Sequence, residues 1–267
     1  MTDLVGVDRS GPNDAVARVT LKRPDVHNAF NATLIAELRQ VFAALSREGP
    51  SQLRAVVLAG DGPTFCAGAD IDWMRSARDL PLEGNIADAA ATRTMFEAVD
   101  ACPKPVIARI NGHAMGGGAG LVACADYAIA VEGARFAFSE TRLGIIPALI
   151  SPYVLRAIGP GHTRALFTTG RAFDAAEAYR IGLVHRVVGE GELDAAVAEA
   201  TADLLAAGPV AVAESKRLVR DATASLALDD LPRRIAALRV APEGQEGLTA
   251  FVEKRKPGWV PDRSDES

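Results

Sequence analysis

The chain has 267 residues, 49% of them hydrophobic and 24% charged, which is enough apolar surface for one large core and excludes a disordered chain. Its net charge of −5 is the wrong balance for a general nucleic-acid binder, and no apolar run approaches the roughly 18 residues that span a bilayer, so neither partner is expected. Three cysteines (Cys66, Cys102, Cys124) without CxxC spacing and four scattered histidines (His27, His113, His162, His185) argue against a disulfide frame and against a metal site, and the acidic N-terminal stretch carries no apolar targeting core, so a reducing cytoplasm is expected.

In chain order, AVARVTL (15–21) alternates and is β-branched, which predicts a strand. RPDVHNAFN (23–31) is a turn-rich loop. A helix follows through Leu34, Ile35, Leu38, Val41, Phe42 and Leu45, capped by Asn31 or Thr33 and closed by Gly49-Pro50. LRAVVLAG (53–60) is a short continuous apolar run, the signature of a strand buried on both faces. GDGPTFCAGAD (60–70) reads as a loop, 71–79 opens a helix, 79–85 is a surface loop and a second helix covers about 86–101. PVIARI (105–110) is another buried strand, NGHAMGGGAG (111–120) is the densest glycine cluster, and YAIAV (127–131) and ARFAF (134–138) are short strands. From about residue 151 the pattern is mostly helical, with a short strand at 183–188 and helical periodicity over 192–255 broken at Gly208-Pro209, Pro232 and Pro242. Strands alternating with helices place the chain in the α/β class.

Two glycine-rich turns, Ala67-Gly68-Ala69-Asp70 and Gly116-Gly117-Gly118, each follow a buried strand and open a helix. Amides at such a place have no partner within the helix, and with the helix dipole they favour negative charge. Leu121 stands where a dinucleotide-binding fingerprint needs its third glycine, and neither a P-loop nor a G-x-S-x-G elbow occurs.

Six segments in order carry a resemblance over about residues 15–258: RPDVHNAFN (23–31), FCAGADIDWM (65–74), KPVIARINGHAMGGGAGLVACAD (104–126), FAFSETRLGIIP (136–147), GRAFDAAEAYRIGLVHRVV (170–188) and FVEKRKPGW (251–259). The chain resembles the crotonase, or enoyl-CoA hydratase/isomerase, superfamily, and GADIDWM with RLGIIPALISPYVLRAIG is most similar to its methylglutaconyl-CoA hydratase-type members. The resemblance implies a crotonase-like ββα superhelix of stacked sheets. Residues 1–195 would form the core with the acyl-CoA site, and 196–267 a C-terminal helical segment that packs into homotrimers, often paired into hexamers. CoA would be part of the substrate, with no separate cofactor.

By motif position, the amides of Ala69 and Gly117 would hold the thioester oxygen as it gains negative charge, flanked by Gly68 and Gly116. Glu140, in F-x-x-x-E-x-x-x-G ahead of Leu143, Ile145 and Ile146, would shuttle the proton, with its pKa raised by the apolar surroundings. Val26, His27, Ala29, Ala67, Asp70 and Ile71 would line the CoA path, and Trp73, Met74, Leu143 and Tyr153 the acyl pocket. Arg142 could meet a second carboxylate on a glutaconyl-type chain. Asp25 stands where the family often has a phosphate-binding lysine, leaving Arg23, Arg75 or Lys254-Arg255-Lys256 to compensate the phosphates; His113 is assigned a structural role. The chain departs from the family at Gly120, the position of the second hydratase glutamate. Glu140 could then run a syn addition of water alone, the reaction could be a Δ3–Δ2 isomerisation, or another acid (Asp72, Glu83 or Asp88) could be recruited. A non-catalytic acyl-CoA-binding protein is the alternative of a different class.

Overall fold

The computed structural model describes residues 4–78, 80–225 and 231–261. Its spine is a six-stranded sheet of β1 (Val5–Ser10), β2 (Val16–Leu21), β3 (Ala55–Gly60), β4 (Val106–Ile110), β6 (Tyr127–Val131) and β9 (Arg186–Val188), in that spatial order. β1 runs antiparallel to β2 and every other neighbour is parallel. All six residues of β3 are buried, as a parallel strand covered on both faces requires. A second sheet joins β5 (Ala114–Met115), β7 (Arg135–Ala137) and β8 (Ala172–Asp174).

The sequence reading places β2, β3, β4, β6, β7 and β9 correctly to within a few residues but misses β1, β5 and β8. β1 is an edge strand whose last four residues are exposed, so it has no need of an apolar pattern. β5 and β8 are two and three residues long, too short for any period to register.

Helix α1 (Ala32–Arg47) buries Leu34, Ile35, Leu38, Phe42 and Leu45, and its cap is Asn31, whose side chain accepts from the Leu34 amide at 2.9 Å. α2 spans Ile71–Arg78. α3 (Leu82–Asp100) begins inside the expected 79–85 loop, of which Asp79 lies outside the described residues. Gly84 and Asn85 are poor helix formers, but Pro81 starts the turn and the Asn85 side-chain amide donates to the Ala77 and Leu80 carbonyls (3.2 and 3.0 Å), so local packing overrides propensity.

α4 (Gly117–Cys124) is buried from Gly118 onward, at the centre of the molecule. α5 (Ser151–Thr169) is interrupted at Gly159, which has φ 71°, ahead of Pro160. α6 (Ala175–Arg180) is capped by Asp174. α7 (Leu193–Ala206) packs on β3, β4 and β6, so the expected division at 195 falls within a helix of the core. α8 (Pro209–Ser225) is pinned there by Lys216, which pairs with Asp126 at 2.6 Å. α9 (Leu231–Val240) and α10 (Pro242–Glu253) complete the chain; Pro209 and Pro242 open helices, as their fixed φ favours.

Candidate active site

Residues 65–70 lie between two segments. On one edge the Phe30 amide donates to the Gly68 carbonyl (2.6 Å) and the Asp70 amide to the Phe30 carbonyl (2.9 Å). On the other the Cys66 amide donates to the His113 carbonyl (3.1 Å) and the Met115 amide to the Cys66 carbonyl (2.9 Å). In a parallel pairing the residues on either side of the paired one make the bonds, so the Ala69 amide faces away from Phe30, toward the 115–117 side. It makes no hydrogen bond among the described residues. Neither does the amide of Gly117, which is the first residue of α4 and points out of the helix start.

The turns that carry these amides touch. Gly68 has φ +85°, and a Cβ there would stand 2.7 Å from the Met115 carbonyl oxygen and 3.5 Å from the Gly117 nitrogen. Gly116 has φ +50°, a conformation that suits glycine. Its amide donates to the Ala137 carbonyl at 2.8 Å, which joins β5 to β7 and brings the single turn Glu140–Leu143 alongside. Glu140 Oε1 consequently lies 3.3 Å from the Cβ position of Gly116. Its Oε2 is buried without a partner among the described residues. Burial pushes the Glu140 pKa up, against a smaller opposing hydrogen bond from its own backbone.

Ala69, Gly117 and Glu140 line one cleft of about 260 Å³, together with Trp73 and Met74. Its remaining walls are Phe30, one stripe of α3 (Asp88, Ala89, Thr92, Phe96) with Ala77 and Asn85, and the run Ile145–Ile150. Of these walls the sequence reading names Ile145 and Ile146, as the apolar surroundings of Glu140, and Asp88, as a candidate acid; it does not place the rest, although the four-residue spacing of Asp88, Thr92 and Phe96 on a helix was a usable signal. Of the acids considered as a second catalytic group, Asp88 lines the cleft, whereas Asp72 is exposed on Arg75 and Glu83 lies outside the lining.

Other expected residues serve elsewhere. Asp70 caps α2, accepting from the Asp72 amide at 2.8 Å, and pairs with Arg23 at 2.9 Å. Desolvation works against its charge, but the Asp72 amide and Arg23 win and hold its pKa below the ordinary value. Arg23 is thereby neutralised within the protein, Arg75 pairs with Asp72, and Arg255 pairs with Glu246 and Glu253, so each of these phosphate candidates already has a carboxylate. Val26, His27, Ala29, Ala67 and Ile71 lie outside the cleft lining, on the paired segments beside it. His27 faces Thr64 at 3.1 Å, and Val26 and Ile71 are exposed. Leu143 is 61% exposed and lies off the cleft, as does Arg142. Tyr153 is buried against Phe96 behind it. His113 accepts from the Arg135 amide at 3.2 Å, consistent with its structural assignment. Asn28, which the reading passes over, pins the first loop: fully buried, it accepts from the Arg23 amide and donates to the Asp61 and Thr64 carbonyls.

The sequence pattern of the Enoyl-CoA hydratase/isomerase family matches residues 11–262. The chain belongs to that family. It is 33% identical over 255 residues to a crotonyl-CoA hydratase of Syntrophomonas wolfei (92% of this chain, 95% of the relative). It is 34% identical over 248 residues to a short-chain-enoyl-CoA hydratase of Clostridium acetobutylicum (90% and 92%). The crystal structure of an enoyl-CoA hydratase from Shewanella pealeana superposes with a TM-score of 0.90 at 39% identity, covering 96% of both chains. The fold is that of the crotonases, and the chain is an enzyme of this family.

Within that fold Gly120 leaves no room for a second glutamate. A Cβ at this position would stand 2.2 Å from Ile150 Cγ2, 3.0 Å from Ile150 Cβ and 3.2 Å from the Phe96 ring. An apolar wall occupies the space of the missing side chain. Gly120→Glu therefore overpacks the centre of α4 and buries a carboxylate with no partner, and is expected to cost at least about 3 kcal/mol of stability. Thermal unfolding measures this; adding Ile150→Ala to the variant should recover part of the loss by relieving the closest contact.

Proposed function

We propose that this enzyme adds water across the double bond of a 2-enoyl-CoA thioester, using the amides of Ala69 and Gly117 and the single carboxylate of Glu140. The observation that carries this reading is the meeting of two unpartnered amides and a buried carboxyl in one cleft. The amides hold the thioester oxygen and stabilise the enolate as it forms. Glu140 takes a proton from the water whose oxygen bonds to C3, then returns a proton to C2 on the same face. A syn addition of this kind needs one carboxylate, which suits a chain with glycine at position 120. Val26 and Ile71 give exposed apolar surface beside the Ala67–Asp70 segment, which supports that region as the path of CoA. The exposed Val240, Phe251 and Val252 of α9 and α10 support a homotrimer or hexamer, tested by sedimentation.

The test is loss of the conjugated enoyl thioester absorbance of crotonyl-CoA on addition of purified enzyme. No loss of absorbance, with CoA thioester binding retained, would favour a lapsed binding protein. The lone Glu140 also favours a second reading, Δ3–Δ2 isomerisation, since moving a proton from C4 to C2 requires one base; a 3-enoyl-CoA would then gain conjugation. A branched 3-methylglutaconyl-type substrate is the finer form of the hydratase reading. It would bring a second carboxylate into a lining whose described residues hold two acids and no basic side chain, which counts against it.

A further inference from the structure

Asp88 is the cleft's second carboxylate among the described residues, and the mechanism above does not use it. Its Oδ1 accepts from the Trp73 indole Nε1–H at 3.2 Å, and both residues line the cleft. The wall around this pair is mostly apolar, with Met74, Ala77 and Ala89 among its members. α3 gives its position relative to the reacting atoms. Phe96 Cζ lies 3.6 Å from the Cβ position of Gly117, so Phe96 marks the level of the thioester oxygen. Asp88 sits eight residues earlier on the same helix stripe, about 12 Å along its axis. That separation along the cleft places Asp88 away from the oxyanion turn, on the side where the far end of an acyl chain would lie if its thioester oxygen met the Ala69 and Gly117 amides.

Resting on the hydratase reading, we propose that Asp88 is a specificity-determining residue that excludes acyl chains ending in a carboxylate. A terminal carboxylate would meet the Asp88 charge in a cleft with no cation among its described lining residues, whereas a hydrocarbon or hydroxyl end would not. Trp73 engages one oxygen of the carboxylate, Oδ1, at 3.2 Å.

The experiment compares kcat/KM for 2-octenoyl-CoA and for 2-octenedioyl-CoA, its analogue with a terminal carboxylate, in the wild type, Asp88→Asn and Trp73→Phe. Asn keeps the acceptor for the indole and removes the charge. The preference for the uncharged chain should fall by about tenfold in Asp88→Asn. In Trp73→Phe, which keeps the charge, the preference should persist. In the wild type it should also weaken as salt rises, because the repulsion is screened, and in Asp88→Asn, where Glu140 remains the cleft's other acid, it should depend on salt less steeply. A preference that is unchanged by Asp88→Asn, or that is insensitive to salt in the wild type, overturns the proposal. The salt series needs no variant, so a misfolded substitution does not remove the test. Failure of the wild type to hydrate 2-octenoyl-CoA or crotonyl-CoA would instead count against the hydratase reading itself.

Discussion

Replacing Glu140 with glutamine should lower kcat by about 10²–10⁴ while raising the melting temperature. The first effect follows from removing the one carboxyl that touches both the oxyanion turn and the cleft. The second follows from the cost of keeping that carboxyl there. Its Oε2 is buried without a partner, and desolvation raises its native pKa above that of the unfolded chain. The native state therefore holds the proton more tightly than the unfolded state does. The contribution of Glu140 to stability is greatest below the ordinary carboxyl range and declines as pH rises through the raised native value. At neutral pH the ionised side chain is a liability that glutamine removes. Glutamine keeps a polar group at the site, so the gain is limited to the cost of ionising a desolvated carboxyl, and for a chain of this size each kcal/mol gained corresponds to roughly 2–4 °C. The same raised pKa sets the pH profile. The reaction needs the ionised form, so the acid limb of kcat/KM should lie above the ordinary glutamate range and should be absent from any residual activity of Glu140→Gln. Calorimetry and initial rates on one preparation check both halves. Wild-type turnover in the variant would remove Glu140 from the mechanism, and a lowered melting temperature would mean that its carboxyl is stabilised by a partner.

The parts of this site that were legible in the sequence are those where chemistry restricts the choice of residue. Gly68 and Gly116 are visible because their positive φ and the close approach at Met115 leave little alternative. Glu140 is visible because few residues can carry a proton in an apolar setting. The pairing of Asp70 with Arg23 was not legible because an acid at a helix start and a base in a loop suit a ligand as well as they suit each other, and only coordinates show the 2.9 Å pair. Ile145 and Ile146 were read as the apolar surroundings of Glu140, but the continuation of that wall from Pro147 to Ile150 was invisible for a different reason. Apolar residues line a pocket and fill a core with the same composition, and Ile145 and Ile150 differ only in position: one is exposed at the cleft, the other buried over Gly120. The start of α3 was lost because Gly84 and Asn85 are turn formers by propensity, and the carbonyls that hold Asn85 belong to the end of α2 and the segment after it.

Gly117→Ala should lower kcat by about 10²–10³, the effect of losing one oxyanion donor. The added methyl cannot be accommodated as the chain stands. Its carbon would lie 2.6 Å from Phe30 Cε2 and 3.0 Å from Cδ2, and Phe30 is itself fully packed, edge-on to Phe96. Either the ring or the start of α4 must shift, and the helix start carries the Gly117 amide. A displacement of a few tenths of an ångström is enough to weaken a donor aimed at the developing oxyanion. That donor matters more to the transition state than to the bound substrate, so KM should change less than kcat. Adding Phe30→Leu makes room for the methyl and should restore much of the lost rate if the defect is geometric. Ala69→Gly, by contrast, preserves the other amide and should cost far less than Gly117→Ala. Full kcat in Gly117→Ala, with a native thermal transition, would show that the thioester oxygen is held by a different group and would separate the glycine-rich turn from the chemistry.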